Sequence, residues 1–354
     1  MAELEKFKPN IDKVIERCRK FLKMEDTGWP LLYIQILIYS DTQSFIPHHQ
    51  FVGKDIIEVY ETIFKRRLEV DDDMLPVIWV NLGPAMMAAF MGCPIRFNSR
   101  TSWSEPILND YSEIDNVYFD PDNRFFKGLA DLLRLITERV GNDIAIGLPD
   151  VGPGSPADLA AAIRGRERFL VDLYRRPHDT KKLMEICVEA YVEIVKTFLE
   201  SISHPYDGTT TGYLAHWMPP RASSIFQEDI TVFLSPKMYH EHIRPFDEMV
   251  TNQFENSIFH CDGAWHIIPD LLEIDEIGTI QFVNPPKGPH ILQVEALYGE
   301  KRKKPIIIQC ENLDIIKRAI QAFGCKGLRI DTHASSVKEA TKIVKAVKEF
   351  SQRI

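Results

Sequence analysis

The sequence predicts an α/β fold of the (β/α)8 TIM-barrel type. Short β-type runs alternate with helix-length stretches, which is the pattern of parallel strands joined by crossover helices. Eight such runs occur, and eight strands are the number that closes a barrel of this type. No Gly/Ser-rich linker or low-complexity block divides the 354 residues, so we expect a single domain over 1–354.

The strands and helices are predicted in the following order. The strand runs are LLYIQILI (31–38), VIWVNL (77–82), DIAIGL (143–148), GTTTGY (208–213), SIFHC (257–261), GTIQF (278–282), PIIIQC (305–310) and GLRID (327–331). Helical patterns between or after them cover 55–69, 177–202 and 335–354, and Ser235 followed by Pro236 is typical of a helix start. An N-terminal helical extension over 1–30 precedes the barrel. The long segment 83–142 is expected to be a βα insertion over one barrel face.

Composition excludes several classes of protein. The formal net charge is −9, whereas a nucleic-acid-binding protein is usually basic. No run approaches the ~20 apolar residues that a membrane span requires, and the charged start MAELEKFKPN is unlike a signal peptide. Six cysteines without a CxxC pair are typical of reduced thiols, so we expect a cytoplasmic protein. Composition leaves a homodimer open.

Polar side chains stand at or just past the ends of the predicted strands. Active sites of such barrels lie at the C-terminal ends of the strands. The residues found there are Asn81, Asp150, Tyr213, His260, Cys261, Asp262, Gln281, Cys310, Asp331 and His333. The sequence therefore predicts its site among these residues.

The stretch SIFHCDG (257–263) carries the strongest site signal. Side chains alternate along a strand, so His260 and Asp262 share one face and Cys261 faces the other side. A histidine and a carboxylate on one face can bind zinc, and they can equally form an acid–base pair. Cys310 and His333 end other strands and could complete a set of four metal ligands. The alternative is that the cysteines pack in the core and the polar groups only hydrogen-bond.

Four aromatic residues are predicted at or near the same barrel face. They are Trp79, Trp103, Tyr213 and Trp217. Such rings could line a pocket for a flat substrate, and packing in the core or in loops is the alternative for each of them.

Two further motifs suggest cofactors. GPGSPA (152–157) fits a dinucleotide-binding pattern, but Pro153 and Pro156 remove backbone N–H groups that would hold the phosphates. DTHASS (331–336) is similar to the start of a cobalamin-binding domain, although Ser336 stands where that motif has glycine. Too few residues follow it for such a domain, so we expect any corrinoid to arrive on another protein.

The order of these features resembles the uroporphyrinogen decarboxylase-like superfamily, which includes the decarboxylase and the cobalamin-linked methyltransferases. The resemblance is best over about 76–350. Its carriers are LPVIWVNLGPAMMAAFMGCPI, IRGRERFLVDLYRRPHDTKKLM, IFQEDITVFLSPKMYHEHIRPF, SIFHCDGAWHIIPDLLEIDEIGTIQF and GLRIDTHASSVKEATKIVKAVKEF. The fold that this resemblance implies is a (β/α)8 barrel, in agreement with the strand count.

The two branches of the superfamily differ at the site. The decarboxylase carries an arginine-rich RQAGRY-type stretch that binds substrate carboxylates, whereas this chain reads YIQILIYSDTQSF (33–45) without arginine. The methyltransferase branch binds zinc through H-x-C-G and a later cysteine. The matching positions here are His260-Cys261-Asp262-Gly263 and His333, so Asp262 and His333 stand where thiolates would. Such harder ligands suit the polarisation of a substrate oxygen.

The resemblance therefore implies a methyltransferase as the leading hypothesis. It would pass a methyl group from a small methylated substrate, such as an aryl methyl ether (O-demethylation), to cobalt of a separate corrinoid protein. Zinc would be held by His260, Asp262, Cys310 and His333. The predicted catalytic residues are His260, Asp262, His333 and Asp150, and the predicted substrate contacts are Asn81, Trp79, Trp103, Tyr213, Trp217 and Gln281. A decarboxylase or lyase using His333 and Asp150, or a barrel that only binds a tetrapyrrole or corrinoid, are the alternatives.

Overall fold

The computed structural model describes residues 3–36, 55–98, 101–149, 154–220, 222, 225–283, 294 and 303–353. The described strands are β1 (Leu31–Ile36), β2 (Val77–Trp79), β3 (Ile95–Phe97), β4 (Ser102–Ser104), β5 (Ala145–Leu148), β6 (Thr209–Thr211), β7 (Trp217–Met218), β8 (Ile225–Gln227), β9 (Ser257–Cys261), β10 (Ile277–Phe282), β11 (Ile306–Gln309) and β12 (Leu328–Ala334).

Helices alternate with these strands. Those described are α1 (Ile11–Leu22), α2 (Ile56–Arg66), α3 (Met86–Phe90), α4 (Arg124–Val140), α5 (Pro156–Arg164), α6 (Arg166–Arg175), α7 (Pro177–Ser201), α8 (Pro236–His242), α9 (Arg244–Thr251), α10 (Ile268–Glu273), α11 (Leu313–Phe323) and α12 (Val337–Ser351). Ser235 caps α8 as the sequence predicts, since its side chain accepts a hydrogen bond from the backbone of Met238. Among the helices described, none is both long and apolar enough to cross a membrane.

The fold is the predicted α/β barrel. Each of the eight predicted runs contains a strand. Within the described residues, these eight strands and the short strands β7 and β8 pair in two sheets, of order β1-β12-β11-β10-β9-β8 and β2-β5-β6-β7. The ladders β1–β12, β12–β11, β11–β10 and β10–β9 are parallel, as are β2–β5 and β5–β6. The helices between successive parallel strands are the crossovers that a parallel sheet requires.

Two short strands depart from the predicted order. The chain turns back after β6, so that β7 runs antiparallel to it, with Thr209 opposite Met218 and Thr210 opposite Trp217. Strand β8 then pairs with β9 in parallel. Both strands have only two or three residues, which is too short for a periodic pattern to be visible in the sequence.

The N-terminal helix and the long insertion are both present. The predicted N-terminal helix is α1. The insertion over 83–142 contains α3, the antiparallel hairpin of β3 and β4, and a 3-10 helix at Tyr111–Asn116. The last part of the insertion is α4. Its N-cap residue is Asn123, whose side chain accepts hydrogen bonds from the backbone N–H groups of Phe125 and Phe126. Because α4 leads directly to β5, it is the barrel's own crossover helix and not part of an added lobe.

Two separate hydrophobic clusters show which face of each strand is inside. One cluster joins the strands to the surrounding helices and contains Ile78, Phe259 and Ile308. The other contains Val77, Ile258 and Ile307 from the alternate strand positions, together with side chains of α1. Because successive strand residues point to opposite faces, the second cluster is the barrel interior. Helix α1 packs against this interior cluster. The first cluster, called the outer cluster below, lies between the strands and the crossover helices.

Candidate active site

His260 and Gln281 stand side by side in the barrel interior. The register of β9 and β10 places them opposite each other, and His260 is on the same face as the interior residue Ile258. The His260 Nδ1 atom lies 2.7 Å from Gln281 Oε1. Gln281 is buried and His260 is partly exposed, so the histidine ring is the member of the pair that a ligand can reach.

An aromatic wall stands next to His260. The rings of Tyr213 and His260 meet edge to face, with centroids 6.4 Å apart, and Trp79 packs on Tyr213 with centroids 5.7 Å apart. Gly212 makes this arrangement possible, because a Cβ atom at that position would lie 2.1 Å from Trp79 Cδ1. Two of the predicted aromatic site residues are therefore brought to the predicted histidine, as a surface suited to a flat, apolar group.

A buried ion pair between Arg329 and Asp331 lies on the interior face of β12, and it was not predicted from the sequence. Arg329 donates to both carboxylate oxygens of Asp331, at 2.6 and 3.2 Å, and to the backbone oxygen of Leu214 at 2.8 Å. Its guanidinium stacks over the Tyr33 ring at 5.0 Å. Burial raises the pKa of Asp331 although Arg329 opposes the shift. The alternation of charged and apolar residues in GLRID was the available signal, because it places Arg329 and Asp331 on one face.

Cys310 does not face the site, which corrects the predicted ligand set. It belongs to the outer cluster together with Ile306 and Ile308, and its side chain is fully buried there. Burial raises the pKa of its thiol to about 12. A cysteine that binds zinc must direct its sulfur toward the metal, and the outward direction of Cys310 does not fit that role. Cys261 packs in the same outer cluster, as strand alternation predicts.

The other predicted ligands are also not gathered around one point. In the ladder, His260 is level with Gln281, Ile307 and Arg329, and His333 lies four residues beyond Arg329. Over the described ranges, no three His, Cys, Asp or Glu side chains form a metal-ligand group. The four predicted donors are therefore not assembled into one site in this structure.

The remaining predicted residues have other positions. Asn81 accepts a hydrogen bond from the backbone of Gly83 and so caps the turn after β2. Trp217 is 5% exposed and carries Arg19 of α1 over its ring at 5.0 Å, because β7 returns toward the N-terminal end of β6. Trp217 is thus a core residue and not a substrate contact. Trp103 lies half-exposed on strand β4, and Asp150 lies outside the described residues.

A cluster of buried carboxyl groups lies behind β8, on the helical side. Glu228 accepts from the backbone of Ala157 in the first turn of α5, while Asp158 of α5 accepts from the backbone of Asp229 and Ile230. The hydroxyl of Tyr239 donates to Asp247 at 2.7 Å. Glu228, which follows β8, thus binds the start of α5, and Asp158 of α5 binds the segment after β8. These contacts fix β8, the strand next to His260, against α5.

Replacing Cys310 by alanine is expected to leave zinc content and activity unchanged. The thiol faces the helices, so its removal leaves a small cavity there that costs about 1 kcal/mol of stability and does not alter the interior. Metal analysis of the purified variant, thermal unfolding and turnover would check this result. Cys261→Ala is the matched control, because it removes a thiol from the same layer. A loss of bound zinc specific to Cys310→Ala would restore the cysteine to the ligand set.

Comparisons with known proteins support the superfamily resemblance. Residues 78–205 match the family model described as uroporphyrinogen decarboxylase (URO-D). This match covers less than half of the chain and includes β2, β5 and the helices up to α7. No curated protein sequence matches the chain significantly.

Solved structures show the same barrel fold. A methyltransferase from Methanosarcina mazei superposes with a TM-score of 0.64 at 14% identity, over 95% of this chain and 98% of its own. A B12-independent methionine synthase from Shewanella sp. W3-18-1, in complex with selenomethionine, superposes with a TM-score of 0.52 at 9% identity, over 92% of this chain and 98% of its own. At these identities the likeness concerns the fold, and together with the family match it supports an enzyme of this superfamily.

Proposed function

We propose that this protein is a methyltransferase of the uroporphyrinogen decarboxylase-like superfamily that removes a methyl group from a small methylated substrate. The observation that carries the proposal is the pairing of His260 with the Tyr213–Trp79 wall in the barrel interior. The methyltransferase fold relatives and the motif resemblance support the reaction class.

The aromatic wall favours an aryl methyl ether as the substrate. A flat ring could pack against Tyr213 and Trp79, and the partly exposed His260, which contacts Tyr213, would then be available to its ether oxygen. Edge-to-face and offset contacts of this kind contribute about 0.5–1.5 kcal/mol beyond burial alone. The wall is held in shape by Gly212 and by the hydrogen bond from the Tyr60 hydroxyl to the backbone oxygen of Trp79, at 2.9 Å.

In the proposed step, the bond between the ether oxygen and its methyl carbon breaks, and the oxygen keeps the electron pair. A proton from the His260 imidazolium neutralises that oxygen, so the leaving group departs as a phenol. The methyl group would need an acceptor that provides the electron pair of the new bond, and the reduced cobalt of a corrinoid carried by a separate protein would supply it.

The charge of the interior also favours this substrate over a polycarboxylate. The Arg329 guanidinium is already paired with Asp331 and with the backbone oxygen of Leu214. It is therefore not available to bind a substrate carboxylate, and the sequence around β1 lacks the arginine-rich stretch of the decarboxylase.

A decarboxylase is the second candidate, and Asp331 is the observation that favours it. Asp331 and His333 share the interior face of β12, which brings a carboxylate and a histidine, two residue types that transfer protons, to one face of the barrel. The family model matched by residues 78–205 is that of a decarboxylase. Release of carbon dioxide from a small carboxylic acid, lost in Asp331→Asn, would favour this candidate.

The methyl-transfer proposal is tested with the purified protein, a reduced corrinoid protein and a panel of methoxylated aromatic compounds. We expect the visible spectrum of the corrinoid to change from the reduced to the methylated form with at least one compound, and the matching phenol to appear in equal amount. Methoxycyclohexane is the control substrate, since it has the ether without the flat ring. If no member of the panel methylates cobalt, the ether proposal is wrong.

A further inference from the structure

The side chains of Gln281 and His260 form a contact with a defined direction. Gln281 Oε1 faces His260 Nδ1 at 2.7 Å, and the two residues are directly opposite in the β9–β10 ladder. Gln281 is only 3% exposed, so packing restricts its rotamer and keeps the amide in place. The contact is therefore part of the barrel wall and does not depend on a flexible surface group.

This contact determines which nitrogen of the histidine ring carries the proton. With the amide placed so that its oxygen faces the ring, Nδ1 is the donor, because an amide oxygen can only accept a hydrogen bond. In the neutral ring the lone pair then resides on Nε2. When the ring is protonated, both nitrogens donate, and the amide oxygen continues to accept from Nδ1. The same partner thus serves both states of the histidine.

A second glutamine flanks His260 but is engaged elsewhere. Gln227 of β8 stands opposite His260 on the other side of its strand. Its amide nitrogen donates to a carboxylate oxygen of Asp229 at 3.3 Å. The hydrogen bond to the histidine ring comes from the β10 side, and Gln227 therefore offers a natural comparison for Gln281.

We infer that Gln281 is a positioning residue that holds His260 in the Nδ1–H form, so that Nε2 is the atom that exchanges a proton with the substrate. This inference rests on the proposed function and reassigns Gln281, which the sequence suggested as a substrate contact. The edge-to-face packing of Tyr213 on the His260 ring restricts the ring further, because a flipped ring would lose the amide contact.

The test reads the ring directly by nitrogen NMR of protein labelled at histidine. In the wild type we expect the neutral His260 ring to be protonated at Nδ1. Gln281→Leu removes the acceptor, so we expect the Nε2–H form to become the major one. Gln281→Glu keeps an acceptor and should preserve the Nδ1–H form, while Gln227→Leu, the matched control, should leave it unchanged.

Turnover supplies the second readout. We expect Gln281→Leu to lower kcat by about 10-fold or more, a part of the 10²- to 10⁴-fold that a positioned acid or base contributes, with KM changed less. Gln281→Glu should recover part of that loss. A wild-type ring protonated at Nε2, or a form unchanged in Gln281→Leu, overturns the inference whether or not methyl transfer is found. Conversely, absence of methyl transfer together with the expected NMR result contradicts the proposed function alone.

Discussion

Replacing His260 by alanine is expected to lower the kcat of methyl transfer by about 10²- to 10⁴-fold, the usual contribution of a positioned acid or base. The loss follows because the leaving oxygen would have to depart without a proton from the ring beside the Tyr213 wall. The aromatic wall remains in the variant, so we expect KM to change by a smaller factor. Steady-state kinetics with the substrate identified from the methoxylated panel would measure both values.

A surface histidine supplies the control for this experiment. His240 of α8 is paired with Asp270 at 2.6 Å, on a side chain that is 59% exposed. His240→Ala removes the same group and should keep full activity. His260→Gln keeps most of the side-chain volume, and it should be as inactive as His260→Ala if proton transfer is the role. Activity near the wild-type level in both His260 variants would show that the proton comes from another group.

The stability of the protein is expected to fall as pH rises from about 5 to 8, and Asp247→Asn is expected to reduce this fall. Burial raises the pKa of Asp247 to about 7 and that of Glu228 well above its usual range. In the unfolded chain both groups titrate near pH 4. Their protonated forms stabilise the fold fully below that pH, and the contribution is lost as pH rises through the folded-state values.

The size of this change in the free energy of unfolding follows from the rise in the carboxyl pKa. A rise of about three pH units for one carboxyl group corresponds to on the order of 3–4 kcal/mol. The neighbouring Asp158 changes stability with pH in the same direction, because burial and Asp229 raise its pKa to about 7. The hydrogen bond from the Tyr239 hydroxyl acts in the opposite direction and lowers the pKa of Asp247. An amide at position 247 can still accept from Tyr239 and can donate to Glu228, so the fold is retained.

Urea unfolding at pH 5, 6, 7 and 8 would measure this effect. We expect the free energy of unfolding of the wild type to decrease over that range, and the slope to be smaller in Asp247→Asn. Asp122→Asn is the control, because its side chain is 87% exposed and the change should not alter the slope. Parallel curves for the wild type and Asp247→Asn would show that Asp247 does not hold a proton in the folded state.

Much of the fold could be read from the chain because strand periodicity is local. Each of the eight predicted strands exists, and the alternation in SIFHC correctly separates His260 from Cys261. The same rule applied to PIIIQC would have placed Cys310 with Ile306 and Ile308, on the helical side. The prediction of Cys310 as a metal ligand rested on its residue type at the end of a strand, and not on the face to which its side chain points.

The candidate site could be predicted only in part. The rings of His260, Tyr213 and Trp79 come into contact, whereas the short strand β7 places Trp217 in the core beside Arg19 of α1. The position of Arg329 in the interior could not be predicted, because a charged residue within a strand is buried only when a partner for its charge is also present. That partner, Asp331, is local, but the burial of the pair comes from Tyr33 and Leu214, far away in the chain.

The sequence by itself determined the barrel class, the order of its strands and the face on which each strand residue lies, because all three follow from patterns with periods of a few residues. The tertiary structure alone decided the level of each residue along the barrel axis, and hence which strand ends meet. That level depends on the stagger of hydrogen-bonded ladders between distant segments, and no local pattern encodes it. The pairing of His260 with Gln281 belongs to this second category.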